Sequence, residues 1–159
     1  MGIYTAHVRP KLEYGSCLWN TGYIGDLRRL EGLQRRWTRS VDGLSDLPYS
    51  QRLLRLDLFS IQGRLLRADL ILVWKIFHGE CAIRPGDLFV LRNNSRTRGH
   101  TLKIRVPRTN RDVRKRFFAA RVVSNWNSLS NDTVNADSLT KFKGGLHRDL
   151  GQRLFDYLN

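Results

Sequence analysis

Residues 61–77 are the most apolar stretch of the chain, and they constrain its fold more than any other feature. Leu65, Leu70 and Trp74 recur at helical spacing, and further apolar side chains fill the positions between them. A helix that is apolar around most of its circumference must be buried by other elements. The sequence therefore predicts a central core helix over residues 61–77, capped by Ser60 and ended near Gly79.

A second helix is predicted over residues 26–41, with Asp26 as its N-cap. Apolar residues recur there near helical spacing and predict one buried stripe, made of Leu27, Leu30, Leu33, Trp37 and Val41. Arginines line a flank of the same helix at positions 28, 29, 35, 36 and 39. They fit either a helix that follows a phosphate backbone or a surface helix whose arginine stems cover the edge of the core. The sequence leaves both interpretations open.

The pattern changes in the last third of the chain. Leu102, Ile104 and Val106 alternate with Lys103 and Arg105, which predicts a half-buried strand over residues 101–106 with a basic outer face. Residues 112–116 fit either a second short strand or the start of the next helix. A helix is then predicted over residues 117–129, and its aromatic rings are expected in the core. A last helix is predicted from residue 137 or 138 to about residue 157.

These patterns predict a mainly α fold. The shift in composition near residue 80 separates a helical bundle over residues 1–80 from a connector over residues 81–95. A small α+β tail follows over residues 96–159, formed by a short basic β-hairpin and two helices.

Positive charge is concentrated in one segment. The 159 residues carry a net charge of +14, and residues 92–116 alone hold 10 basic side chains and one acidic side chain. A surface that serves solubility normally mixes both signs. The segregation therefore indicates a polyanionic partner, with nucleic acid favoured over an anionic membrane.

Several classes of function find no support in the sequence. It has no apolar run long enough for a transmembrane helix and no phosphate-binding loop, nucleophile elbow or HExxH motif. His78 and Cys81 form half of a zinc motif without a second pair, and the acidic residues are scattered. We therefore expect no metal, no cofactor and no membrane partner. Two cysteines form no disulfide framework, which favours a reducing, intracellular location in the nucleus or the cytoplasm.

Residues 96–126 contain the chemistry that suits nucleic acid. Arg96 and Arg98 lie before Gly99 and His100 in a predicted turn, where glycine allows close approach of the backbone to a ligand. Lys103 and Arg105 share one face of the predicted strand, about 7 Å apart, and could contact neighbouring phosphates. The segment predicts polyanion binding without sequence specificity.

Four stretches of the chain resemble a known family. They are AHVRPKLEYGSCLW, LRRLEGLQRRWTR, LRLDLFSIQGRLLRADLILVWKIFHG and RTRGHTLKIRVPRTNRDVRKRFFAARVVSNWNSL. In this order they resemble the C-terminal part of LINE-type, jockey-like non-LTR retrotransposon reverse transcriptases. The resemblance covers almost the whole chain and implies a helical polymerase thumb followed by a basic tail.

The resemblance also implies functional residues. By its motifs, the residues expected to face nucleic acid are Arg9, Arg35, Arg36, Arg98, His100, Lys103 and Arg116. The basic segment adds Arg96, Arg105, Arg114 and Lys115 to this candidate set. Asn125, Trp126 and Asn127 are expected to hold the fold of the tail.

The family's catalytic aspartates, palm, fingers and endonuclease precede the matched region. The chain is therefore expected to be a non-catalytic, nucleic-acid-binding fragment of an RNA-directed DNA polymerase that grips template, primer or target. Its expected partners are the phosphate backbone of RNA or DNA, and also the palm domain or a second copy of the chain. The alternative is a helical protein-interaction module in which the charge is incidental.

Overall fold

The computed structural model describes residues 4–92, 99–108 and 110–157, which are mainly helical as predicted. The chain divides into two compact units. Unit 1 is Met1–Leu66 together with Gln152–Asn159, and unit 2 is Arg67–Gly151. The predicted bounds were 1–80, 81–95 and 96–159; here the first boundary falls after Leu66, and the last residues of the chain belong to the first unit.

Unit 1 contains one long helix, several short helices and the first residues of a second long helix. A π-helical turn, Tyr4–Val8, precedes α1 (Arg9–Glu13), α2 (Ser16–Trp19), α3 (Ile24–Arg39), α4 (Tyr49–Arg55) and the first residues of α5 (Ile61–Phe77). The predicted bounds of α5 are confirmed, and the Ser60 hydroxyl accepts a hydrogen bond from the Gly63 amide at 2.9 Å. Asp26 was predicted to be the N-cap of α3, but it lies in the first turn of the helix. There its carboxylate interacts favourably with the helix dipole.

The buried face of α3 is polar. Glu31 is 4% exposed, and Gln34 and Thr38 are fully buried, whereas Leu33 from the predicted apolar stripe is 40% exposed. The predicted buried stripe is therefore confirmed only in part: Leu33 is exposed, whereas Trp37 and Val41 are half-buried and pack against a core cluster that includes Leu53. Periodicity identified the helix but not its inner face, because hydrogen-bond partners elsewhere in the chain make the polar face the one that packs inward.

A hydrogen-bond network explains that burial. The Gln34 Oε1 accepts from the Tyr4 hydroxyl at 2.9 Å, and its Nε2 donates to the Tyr49 hydroxyl at 3.1 Å and to the Phe59 carbonyl at 3.0 Å. Glu31 accepts from the Tyr49 hydroxyl and from the Ile61 amide. Burial raises the pKa of the Glu31 carboxyl and raises the pKa of Tyr4 to about 12. The network ties α3 to α4 and to the start of α5.

Replacement of Gln34 tests how much this network contributes to the stability of the fold. In Gln34→Leu, the buried hydroxyls of Tyr4 and Tyr49 and the half-buried Phe59 carbonyl lose a shared partner. We expect the free energy of unfolding, measured in urea, to fall by about 2–4 kcal/mol. The control Gln51→Leu changes an exposed residue of α4 and should have an effect within about 0.5 kcal/mol. Equal effects of the two substitutions would contradict a structural role for the network.

Unit 2 has an aromatic core. It contains the remainder of α5, then α6 (Pro85–Leu88), α7 (Asp112–Arg116), α8 (Phe118–Arg121), α9 (Val123–Asn127), α10 (Asn131–Val134) and α11 (Leu139–Leu150). The rings of Phe77 and Trp126 stack at 5.5 Å, and those of Trp74 and Phe142 at 5.4 Å. Offset stacks of buried rings combine a large apolar area with a defined geometry, so they anchor the unit.

The predicted β-hairpin is not confirmed. Within the described residues, β pairing is limited to one antiparallel bridge between Leu91 and Ile104. Side chains take the place of a partner strand. The Trp126 indole donates to the Leu102 carbonyl at 2.7 Å, and the Asn127 amide pairs with both backbone groups of Ile104 at 2.8 Å. The roles expected for Trp126 and Asn127 in holding this part of the fold match these contacts.

Two further predictions for unit 2 need correction. Residues 117–129 form two short helices, α8 and α9, and Phe117 is 59% exposed, so its predicted place in the core was wrong. The last helix is capped by Ser138, one of the two predicted caps, but it ends at Leu150. Gly151, with φ 46°, turns the chain out of the α-helix at that point.

Two adjacent glycines in α11 offer a matched test of this packing. A Cβ at Gly144 would meet open space, whereas a Cβ at Gly145 would lie 2.8 Å from the Thr133 Cγ2. We expect Gly144→Ala to raise the free energy of unfolding by about 0.5–1 kcal/mol through helix propensity. Gly145→Ala should lower it by about 1–3 kcal/mol, because Thr133 is buried and must shift. Thermal or urea unfolding measures both, and changes of the same sign would contradict this packing.

Candidate nucleic-acid interface

A groove in unit 1 collects arginines from two helices. It has a volume of about 1030 Å³ and is lined by Arg28, Arg29, Arg35, Arg36 and Arg39 of α3 and by Arg52 of α4. We call it the arginine groove. Because the polar face of α3 packs inward, these arginines lie together on the side that faces the groove. Asp46 is the one carboxylate among its described lining residues.

Tyrosine rings hold two of these guanidinium groups in place. The Arg35 Cζ lies 5.0 Å from the ring centroid of Tyr49 and 5.2 Å from that of Tyr157, and the Arg52 Cζ lies 5.4 Å from the ring of Tyr49. The Arg52 Nη1 also donates to the Arg35 carbonyl at 3.3 Å. Stacking fixes the plane of a guanidinium, so less conformational entropy is lost when it binds an anion.

Arg29 pairs with Asp26 at 4.0 Å, and among the described residues the other groove arginines have no such partner. Within residues 4–92, 99–108 and 110–157, no carboxylate forms an ion pair with Arg28, Arg35, Arg36, Arg39 or Arg52. The Nε atoms of Arg35 and Arg52 are buried without a hydrogen-bond partner in this part of the chain. Burial lowers the pKa of Arg52, and the nearby Arg39 and Arg35 lower it further. An anion in the groove would relieve this repulsion.

Unit 2 carries a second basic surface. Arg105, Arg108, Arg111 and Arg114 are exposed, and Lys115 is paired with Asp112 at 3.2 Å on the surface of α7. A groove of about 570 Å³ lies in this region, and we call it the Phe117 groove after its exposed ring. Its lining includes Val90, Arg105, Val106, Arg108, Arg114 and Phe117.

The structure places the remaining predicted site residues in different settings. Arg9 is half-buried and lies 3.6 Å from the Glu13 carboxylate. Lys103 and Arg116 are half-buried, and the Arg116 carbonyl accepts from Arg121 at 3.1 Å. Arg96 and Arg98 lie outside the described residues.

His100 is not on the surface. It is 3% exposed, its Nε2 hydrogen-bonds the Trp126 carbonyl at 3.1 Å, and burial lowers its pKa. A neutral, buried imidazole presents no charge to a phosphate. His100 therefore supports the fold of unit 2 and is left out of the interface.

Arg52, Tyr49 and Tyr157 were not among the predicted site residues. Their neighbours in sequence show no pattern that indicates a site, and Tyr157 lies at the other end of the chain from Arg35. The run of arginines in residues 28–39 was the one local signal, and it left two interpretations open.

Comparison of the chain with models of protein families, with curated proteins and with solved structures finds no match. In the part of the chain that the structure describes, no group of three or more His, Cys, Asp or Glu residues could hold a metal ion. None of the described helices has the length and apolar character needed to cross a membrane.

Multivalent anions should stabilise the protein through the arginine groove. At equal ionic strength, sulfate in place of chloride should raise the thermal midpoint by about 2–4 °C, because a ligand of the folded state shifts the unfolding equilibrium. The double variant Arg36→Gln/Arg39→Gln should lose most of this shift and keep only the general effect of sulfate on folded proteins.

The matched control for this measurement is Arg55→Gln. Arg55 is an exposed arginine of α4 that does not line the groove. It should leave the sulfate shift unchanged. A shift that is equal in the wild type and in both variants would rule out an anion site in the groove.

Proposed function

We propose that the chain is a non-catalytic module that binds RNA or DNA through the phosphate backbone. The observation that carries this proposal is the arginine groove, where six arginines face one carboxylate and two of them are held by tyrosine rings. Guanidinium groups in fixed positions match phosphate oxygens through paired hydrogen bonds. A face kept basic for solubility alone would not require stacked guanidinium groups.

The spacing of these arginines favours an extended polyanion over a single small anion. From Arg28 to Arg39 the axis of α3 rises by about 16 Å, which corresponds to the axial length of about five base pairs. A single phosphate could contact only one end of this row. A nucleic-acid backbone presents phosphates along the whole length.

The resemblance to LINE-type reverse transcriptases supports the same proposal. In the LEGLQRR stretch, Glu31 and Gln34 are buried in the network of unit 1, whereas Arg35 and Arg36 line the groove. We therefore propose that unit 1 acts as a polymerase thumb would, in gripping a template and primer duplex. The basic surface of unit 2 would add contacts to template or target.

A second candidate function is that of a protein-interaction module. One specific observation favours it: apolar side chains at α2 and the start of α3 are exposed, with Leu18 at 88%, Ile24 at 51%, Tyr23 at 45% and Trp19 at 40%. Contiguous exposed apolar surface often marks a site of protein contact. The partner would be a palm domain or a second copy of the chain.

Binding to an RNA/DNA hybrid duplex and to structured RNA, followed by fluorescence anisotropy at several salt concentrations, tests the first proposal. Affinity should fall steeply as salt rises, because phosphate contacts release counterions. Arg36→Gln/Arg39→Gln should weaken binding and reduce the slope of log K against log salt by about two units, whereas Arg55→Gln should change neither by more than the error. Absent or salt-insensitive binding by the wild type would refute the proposal.

The same assay separates the two candidate functions. Reversal of Lys103, Arg105, Arg114 and Lys115 to Glu should remove the contribution of unit 2 to nucleic-acid binding. Self-association, measured by sedimentation, should be unaffected. If neither the reversal nor Arg36→Gln/Arg39→Gln changes the affinity for nucleic acid or its salt dependence, and self-association survives in all variants, the protein-interaction function is favoured.

A further inference from the structure

Phe117 is an aromatic side chain left at the surface beside a buried one. It is 59% exposed, whereas Phe118 is 6% exposed and packs against Phe89 with ring centroids 6.2 Å apart. Phe117 lies between α7 and α8 with φ −60° and ψ 143°, so the chain is extended at this residue. Phe118 is the first residue of α8 and packs into the core, whereas Phe117 precedes the helix and lines the groove.

The walls of the Phe117 groove are apolar and have a fixed backbone. Val90 and Val106 are 63% and 65% exposed. The Arg105 amide donates to the Val90 carbonyl at 2.7 Å, and the antiparallel bridge from Leu91 to Ile104 lies beside this bond. These contacts hold the two segments side by side. At about 570 Å³ the groove is within the size range of sites that enclose small ligands.

Its charge is positive. Arg105, Arg108 and Arg114 line the groove, and the one carboxylate among its described lining residues belongs to Asp87, which accepts a hydrogen bond from the Arg84 amide at 3.2 Å. A ligand that satisfies this surface needs a flat apolar group for the ring and the valines, and negative charges on both sides of it. A purely apolar ligand would leave the three arginines unpaired.

A nucleic-acid strand with unpaired bases has both properties. In a duplex the base faces are covered by stacking, so a protein ring can reach phosphates and groove edges only, whereas an unpaired base presents a free face next to its phosphates. Arginine and an aromatic ring are the side chains that bind such strands without reading their sequence.

We infer that the Phe117 groove binds single-stranded nucleic acid, with Phe117 stacked on an unpaired base and Arg105, Arg108 and Arg114 on the flanking phosphates. The inference rests on the proposed function, since it names the form of nucleic acid that unit 2 takes. It assigns to unit 2 a contact with bases that the arginine groove of unit 1 does not offer.

The test compares two anionic strands that differ only in their bases. One is a short oligothymidylate, and the other is an abasic oligomer with the same number of phosphates. Affinities are measured by fluorescence anisotropy for the wild type, Phe117→Ala, Phe117→Trp and the control Val113→Ala, together with an RNA/DNA hybrid duplex. Val113 is 76% exposed on α7 and does not line the groove. The thermal midpoint of each variant checks its fold.

The wild type should bind oligothymidylate more tightly than the abasic strand by a factor between about 5 and 150, the range that corresponds to stacking of one base. Phe117→Ala should remove this preference and leave affinity for the duplex and for the abasic strand unchanged. Phe117→Trp should keep or increase it, and Val113→Ala should keep it.

The possible failures are distinguishable. If the wild type binds both strands and the duplex with steep salt dependence but shows no preference for bases, the inference is overturned and the proposed function stands. If it binds none of them, the proposed function fails and the inference fails with it. Phe117→Ala is also compared with the wild type for binding of an acidic peptide that contains tryptophan. If this variant binds the peptide less tightly than the wild type but keeps the preference for oligothymidylate, the groove is a peptide site and the inference is overturned.

Discussion

The amide of Gln34 decides how unit 1 is arranged. It is fully buried, and its three hydrogen bonds reach the π-helical turn, α4 and the segment before α5. A buried amide without these partners would cost more than the packing of a leucine could return. Since the partners are present, the polar face of α3 lies inside and the leucine stripe lies at its margins. The arginine groove follows from the same orientation, because Arg35 and Arg36 come directly after Gln34 in the helix.

This dependence explains what the sequence could and could not predict. The core helix, its Ser60 cap and the mainly α class follow from local periodicity and capping chemistry, which act over a few residues. The inner face of α3 depends on Tyr4, Tyr49 and Phe59, and hydrophobic spacing carries no information about such distant partners. In unit 2, the alternation around Ile104 predicted a half-buried strand, of which the described residues form a single bridge to Leu91. It could not show that the side chains of Trp126 and Asn127 would bond this segment in place of a second strand.

The candidate interface was predictable in its charge but not in its geometry. Net charge favours a polyanion partner whatever the fold, so the basic segment could be singled out as a candidate surface from composition alone. Its members have different environments, however. His100 packs edge-on against Trp126 with ring centroids 5.8 Å apart, although its neighbours in sequence are basic and polar. Arg52 is 6% exposed and stacks on Tyr49, although an isolated arginine in a short helix suggests a solvated surface. Burial depends on tertiary contacts, and these determine which cations can meet a phosphate.

The two basic surfaces differ in a way that matters for binding. In the arginine groove, stacking on Tyr49 and Tyr157 restricts the guanidinium of Arg35 before any ligand arrives. Binding there therefore loses little further side-chain conformational entropy. In the Phe117 groove the arginines are exposed side chains, and the backbone that carries the apolar wall is held by the hydrogen bond from the Arg105 amide to the Val90 carbonyl. Fixed cations favour a regular backbone with evenly spaced phosphates, whereas a fixed apolar wall with adaptable cations suits a strand whose bases are free and whose backbone is irregular. On these physical grounds the two units would take different forms of nucleic acid, a duplex in unit 1 and an unpaired strand in unit 2.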